Sequence, residues 1–302
     1  MRNIEEEILK LKQEKNAVIL AHYYQYPEIQ KIADYVGDSY YLSKVAKETD
    51  HDMIVFCGVR FMAESAKILS PQKKVILPVA DAGCPMADMA VTDKINELKQ
   101  QHPDAAVVCY INTSVETKAL CDVCVTSSNA LDIINKLPED KILFLPDRNL
   151  SSYIAEKCPE KEFVIYPGYC IVHNKILPDQ ITELKLQYPD APVLAHPECR
   201  KEVLALADFV GSTSEILNHA TQSSCSDLII VTEEGIRYEL ELQNTGKKFH
   251  FPTSRMICTN MKKTTLENVL WALEDETTDI HIEEGLRTSA LKCLTEMHRL
   301  GN

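Results

Sequence analysis

A chain of 302 residues, 45% hydrophobic and 25% charged, is long enough to bury the cores of two or three domains. Its net charge of -13, from 32 basic and 45 acidic residues, argues against a nucleic-acid binder, whose phosphate contacts demand a basic face. No run approaches the roughly 18 apolar residues of a membrane span, and the charged opening MRNIEEEILKLKQEK has no apolar signal core, so a cytoplasmic location is expected.

In chain order the predicted elements repeat three times. EEILKLKQEKNAVILAHYYQYPEIQKIADYVGDS aligns with KINELKQQHPDAAVVCYINTSVETKALCDVCVTSS and with QITELKLQYPDAPVLAHPECRKEVLALADFVGSTS. Each segment reads as a short amphipathic helix, a strand, a crossing segment with Ala-Asp or Cys-Asp, and a hydroxyl-rich turn. A helix, a strand (DMIVFCG, KILFLPD, DLIIVTEE), a further helix and a last aliphatic strand follow, and each unit closes on a cysteine: Cys84, Cys170 and Cys258. Continuous Val/Ile/Leu runs between helices indicate parallel strands covered on both faces. The expected fold is α/β, with three similar three-layer α/β/α domains of parallel sheet in a pseudo-threefold arrangement. The expected boundaries are 1–84, 85–170 and 171–258, with a C-terminal segment, 259–302, packing back on the first domain.

The repeat phase also aligns chemistry. His22, Tyr110 and His196 end equivalent strands; Tyr24, Asn112 and Glu198 follow two residues later; Ser39, Ser127 and Thr213 fall in the hydroxyl-rich turns. In open parallel sheets function gathers beyond the carboxyl ends of the strands, so three such units can assemble one site in thirds. Imidazoles and hydroxyls there suit anionic substrates. Tyr24 and Glu198 are the candidate proton-transfer pair, a phenol and a carboxylate at equivalent positions. Ser39 and Ser127 can also serve as helix N-caps.

Eleven cysteines are many for a reducing compartment, where structural disulfides are rare. Three thiolates from separated loops suit a 4Fe-4S cluster with one iron left open better than a zinc site, which takes four ligands, usually in close pairs. Cys121 and Cys124 form CDVC, but the first replaces a core alanine of the sister units. Cys57, Cys109, Cys158, Cys199, Cys225 and Cys293 have no counterpart in the repeat, and all of these are read as structural. Asp147 and Arg148, with Arg60 in phase, are read as an ion pair tying units together.

AHYYQYPEIQKIADYVGDS, DAGCPMADM, CYINTS, TSSNA, PDRNL, AHPEC, FVGSTS and MICTNMKKTTLENVLWAL together resemble the quinolinate synthase family, across essentially the whole chain. The resemblance implies a 4Fe-4S cluster on Cys84, Cys170 and Cys258, and condensation of iminoaspartate with dihydroxyacetone phosphate to quinolinate, phosphate and water. It implies an aspartate-oxidising enzyme as the source of iminoaspartate. It also implies substrate contacts from His22, Ser39, Tyr110, Asn112, Ser127, His173, His196, Glu198, Ser212 and Thr213, with Tyr24, Glu198, Tyr110, His22 and His196 as the catalytic group. Some relatives carry a CxxCxxC run after the third ligand; here Cys258 is followed by Thr259, Asn260 and Met261, so no redox switch is expected there. The residues alone leave two rivals: a cluster-dependent hydro-lyase acting on a small hydroxy acid, and a non-catalytic iron-sulfur sensor.

Overall fold

The computed structural model describes residues 3–301 and contains three four-stranded, all-parallel sheets flanked by helices. The first unit runs α1 (Ile4–Glu14), β1 (Ala17–His22), α2 (Pro27–Ile32), β2 (Tyr35–Gly37), α3 (Ser39–Glu48), β3 (Met53–Cys57), α4 (Arg60–Leu69) and β4 (Lys74–Ile76). A short α5 (Pro85–Asp88) leads into the second: α6 (Thr92–Gln101), β5 (Ala106–Tyr110), α7 (Val115–Lys118), β6 (Val123–Val125), α8 (Ala130–Lys136), β7 (Lys141–Leu145), α9 (Arg148–Lys157) and β8 (Glu162–Ile165). The third runs α10 (Pro178–Gln187), β9 (Val193–Ala195), α11 (Lys201–Leu204), β10 (Phe209–Val210), α12 (Thr213–Gln222), β11 (Asp227–Val231), α13 (Arg237–Gln243) and β12 (Lys248–His250).

The three sheets share one topology, β2-β1-β3-β4, β6-β5-β7-β8 and β10-β9-β11-β12. In each, the first strand is flanked by the second and third, so the chain switches direction across it. The carboxyl end of that strand is where a crevice opens. β1 is buried along its whole length, as the run AVILAH demands; each fully buried Val, Ile or Leu contributes about 1.5–3 kcal/mol.

The repeated Asp of the crossing segment has a clear task. Asp34, Asp122 and Asp208 each accept the backbone N–H of the residue fifteen before it: Ile19 at 2.8 Å, Val107 at 2.7 Å and Val193 at 2.8 Å. Each Asp also donates its own N–H to that residue's carbonyl at 2.9 Å. The pair of bonds locks the entry of the second strand to the first, and so sets the register on which the strand ends depend.

One expectation needs correction here. The last strand of each unit does not run to its cysteine: β4, β8 and β12 stop early, with Pro78, Pro167 and Pro252 following, because proline has no N–H for the ladder. Cys84, Cys170 and Cys258 therefore lie in loops beyond the strands. The C-terminal segment meets the first unit with α14 (Leu266–Asp275), which packs on α1 and β3, while α15 (Glu284–Leu300) packs mainly on β6 and α7 of the second unit and also on α4. Among the described residues no helix is long and apolar enough to cross a membrane.

Candidate active site

The ends of β1, β5 and β9 face one cavity with about 760 Å³ of empty space, part of it open to solvent. All the expected site residues except Ser212 line it. His22 and His196 are held alike. The backbone N–H of Tyr24 donates to His22 Nδ1 at 3.1 Å, and that of Glu198 to His196 Nδ1 at 3.3 Å. An Nδ1 that accepts leaves the proton of a neutral ring on Nε2, so both rings carry an Nε2–H donor. Both rings are buried, and burial is the main cause that lowers each to about 3; Lys262 adds to the effect at His22, and His173 and His22 add to it at His196. At neutral pH they are uncharged donors. Tyr110 completes the set: burial pushes its phenol well up, with Glu198 and Ser127 acting on it from the same cavity.

Tyr24 and Glu198 differ in charge state. Burial pushes the Tyr24 phenol well up, against hydrogen bonds to Thr213 Oγ1 at 2.7 Å and Thr232 Oγ1 at 2.9 Å, and it stays protonated. Burial also pushes Glu198 up, but His196, His173 and the Tyr110 phenol outweigh it and hold the carboxyl below its ordinary range. Glu198 Oε2 lies 2.9 Å from His173 Nδ1, and the other His173 nitrogen meets Thr232 Oγ1 at 3.0 Å. His173 is stacked on His196 with ring centres 4.5 Å apart. Thr232, which no motif had singled out, thus joins Tyr24 to His173. Its place after β11 is legible only once the sheet is folded.

The turns correct another expectation. The caps of α3 and α8 are Asp38, one residue before Ser39, and Asn129, two residues after Ser127: Asp38 accepts Tyr41 N–H at 2.9 Å, and Ser39 is the first helical residue. Ser39 and Ser127 are thereby left to face the cavity. On α12 the cap is Ser212, whose hydroxyl accepts Glu215 N–H at 3.3 Å in a capping box, while Thr213 turns to the cavity. Ser212 shapes the turn and does not line the site.

Cys84, Cys170 and Cys258 lie on that same cavity wall, and their loops are tied by one repeated bond. Arg60 N–H donates to Ala82 O, Arg148 N–H to Gly168 O and Glu234 N–H to Met256 O, each at 2.8 Å and each to the residue two before the cysteine. Two buried carboxylates add a second tie: Asp147 Oδ2 accepts Cys170 N–H at 3.1 Å, and Glu233 Oε1 accepts Cys258 N–H at 3.0 Å. In the first unit Val59 stands at that position, and Asn112 Nδ2 approaches Cys84 Sγ at 3.5 Å. The ion pair expected of Asp147 and Arg148 is absent. Asp147 caps α9 through Asn149 and Leu150 N–H, Arg148 lies over the Tyr169 ring, and Arg60 pairs with Glu64 at 2.9 Å.

This donor set fits an iron-sulfur cluster: three thiols of intermediate exposure from three units, with the buried Asn112 Oδ1 left without a partner beside Cys84. A second thiol group lies elsewhere. Cys109, Cys124 and Cys293 place their sulfurs within 4.8 Å of one another in the core and are also compatible with metal binding. Cysteines on different corners of a cube stand roughly twice as far apart as the 3.3 Å between Cys109 and Cys124, so that group does not suit a 4Fe-4S cluster.

The family model described as Quinolinate synthetase A protein matches residues 6–299. The chain belongs to that family. It is 57% identical over 299 residues to the quinolinate synthase of Clostridium perfringens, covering 99% of each chain. It is 53% identical over 294 residues to that of Clostridioides difficile, covering 97% of each, and 52% identical over 300 residues to that of Caldicellulosiruptor saccharolyticus, covering 99% of each. Identity this high along whole chains makes the protein an enzyme of the quinolinate synthase type, with a place in NAD biosynthesis.

Proposed function

We propose that the enzyme condenses iminoaspartate with dihydroxyacetone phosphate in the cytoplasm, releasing quinolinate, phosphate and water, with a 4Fe-4S cluster held by Cys84, Cys170 and Cys258. One observation carries this reading: three thiols on identically tied loops share a cavity with the equivalent strand-end groups His22, Tyr110 and His196. When bound, such a cluster supplies an iron without a protein ligand, a Lewis acid toward a substrate oxygen.

The protein's own groups divide the remaining work. His22 and His196 present Nε2–H donors to carboxylate or phosphate oxygens without bringing charge, and Ser39, Ser127, Thr213 and Asn112 add neutral donors. Glu198, ionised at neutral pH, accepts a proton during carbon-carbon bond formation and isomerisation. Tyr24, protonated, donates one to a departing oxygen, and Tyr110 holds Glu198 in place. Burial of His22, His196 and Glu198 keeps bulk water from the reacting groups and so limits hydrolysis of the imine. Because that imine is unstable in water, an enzyme that oxidises aspartate is the fitting source of it.

Anaerobically purified protein given both substrates should form quinolinate and phosphate in equal amounts. Dehydration of a small hydroxy acid without triose phosphate, and no quinolinate, would overturn this reading in favour of a hydro-lyase.

A further inference from the structure

Three of the remaining cysteines gather at one point in the core. Cys109 on β5 and Cys124 on β6 are register partners in adjacent parallel strands, so their side chains leave the same face of the sheet. Their sulfurs are 3.3 Å apart. Cys293 reaches the same point from α15, 3.5 Å from Cys124, and Cys121, from the turn before β6, lies beside this group of three with its thiol turned to Thr117 O. Cys109, Cys124 and Cys293 are fully buried and Cys121 is 7% exposed.

We propose that Cys109, Cys124 and Cys293 form the core of a second metal site, separate from the central cavity, that holds one zinc ion, with Cys121 supplying the fourth thiolate by turning from Thr117 O. Zinc bound tetrahedrally at about 2.3 Å from each sulfur sets its ligands about 3.8 Å apart. The observed separations of 3.3 and 3.5 Å, with the three sulfurs all within 4.8 Å, bracket that value. CDVC supplies the closely spaced pair typical of closed structural zinc sites, and the other two ligands come from a neighbouring strand and the C-terminal helix. The spacing rules out a cube, as argued above, and the absence of histidine or carboxylate from the set favours a soft, four-coordinate ion.

A buried charge independently fits this assignment. Lys118 is 0% exposed, and its ammonium donates to the carbonyls of Ile111 at 2.7 Å and of Thr113. Among the described residues no carboxylate lies within ion-pair distance of it, although its charge and that of Glu64 interact. A buried ammonium with no counter-charge in contact is costly. Four thiolates around a divalent ion leave a net negative charge, and the Lys118 charge acts on both Cys109 and Cys124. Cys121 donates to Thr117 O at 3.1 Å and Cys293 to Ala290 O at 3.2 Å. Zinc uptake replaces these S–H contacts with S–Zn bonds and releases the thiol protons to solvent, with no change of oxidation state. The ion would pin α15 to the second sheet and leave the central cavity untouched.

The test is zinc and iron content of the full chain, purified anaerobically from cells supplied with both metals and dialysed against a mild chelator. Stoichiometric zinc alongside the iron is expected. Cys124→Ser and Cys293→Ala should each lose the zinc while keeping the iron and quinolinate formation, and their melting temperature should no longer rise when zinc is added. Cobalt(II) in place of zinc should show the visible bands of a tetrahedral thiolate complex. Wild-type protein that carries no zinc and does not take it up, with these four thiols free on denaturation, would overturn the site, as would zinc retained by both variants. A missing central cluster would instead appear as lost iron, so the two assignments fail separately.

Discussion

Replacing Glu198 with Gln removes a charge and a proton acceptor while keeping the shape of the side chain. Gln Oε1 can still accept from His173 Nδ1, now 2.9 Å from the carboxylate. The fold should therefore change by no more than about 1–2 kcal/mol, the cost of one imperfect buried hydrogen bond. The chemistry should suffer far more: a lost general base costs about 10²–10⁴ in rate, or roughly 3–5.5 kcal/mol at 1.36 kcal/mol per decade. The assay is quinolinate formation under saturating substrates, with variant and wild type matched for iron and sulfide and followed by thermal melting. A fall in kcat and kcat/KM together, with a melting temperature close to wild type, is expected. A variant that keeps its activity within about threefold, fully loaded with iron, would refute the role of Glu198 as proton acceptor.

Three further outcomes are expected. His22 and His196 are lowered to about 3 by burial, so the unfolded chain binds protons between its ordinary value of 6.5 and that range; stability is full above pH 6.5 and falls as pH drops, by up to about 1.4 kcal/mol per pH unit for each ring. Denaturant midpoints at pH 7.5, 6.5 and 5.5 should show a slope that His196→Gln reduces; an unchanged slope would contradict the buried neutral ring. Asp34→Ala, Asp122→Ala and Asp208→Ala each break an equivalent lock at 2.7–2.8 Å and should each cost about 1–3 kcal/mol in urea melts, whereas one site costing nothing would break the equivalence of the three units. A Cβ on Gly235 would stand 2.6 Å from Tyr24 Cα, so Gly235→Ala should displace Tyr24 and cut kcat by on the order of 10²-fold with a lesser loss of stability; wild-type kcat would show that Tyr24 need not be fixed so closely.

The repeat made the sheets legible because buried parallel strands write continuous aliphatic runs and because the same Asp recurs at the same step of each unit. The strand-end residues were legible for the same reason: phase in the repeat is position in the fold. What escaped was whatever arrives across units. Thr232 and Glu233 follow β11 and reach Tyr24 and Cys258 only through folding, and Lys262 closes on Tyr24 O at 2.6 Å from 238 residues away. Asp147 looked like half of an ion pair because Arg148 is its neighbour, but a carboxylate ahead of a helix is drawn to the free N–H groups of the first turn. Cys109 and Cys124 stand fifteen apart in sequence and meet only through strand pairing, and Cys293 joins them from the far end of the chain.

The central claim, that three equivalent loops hold one cluster, is tested most directly by iron and sulfide analysis of anaerobically purified wild type and single Cys→Ala variants. About four irons and four sulfides per chain are expected in the wild type and in Cys109→Ala, and neither should remain in Cys84→Ala, Cys170→Ala or Cys258→Ala. A cluster that survives loss of Cys84, Cys170 or Cys258 and disappears with Cys109 would contradict the account.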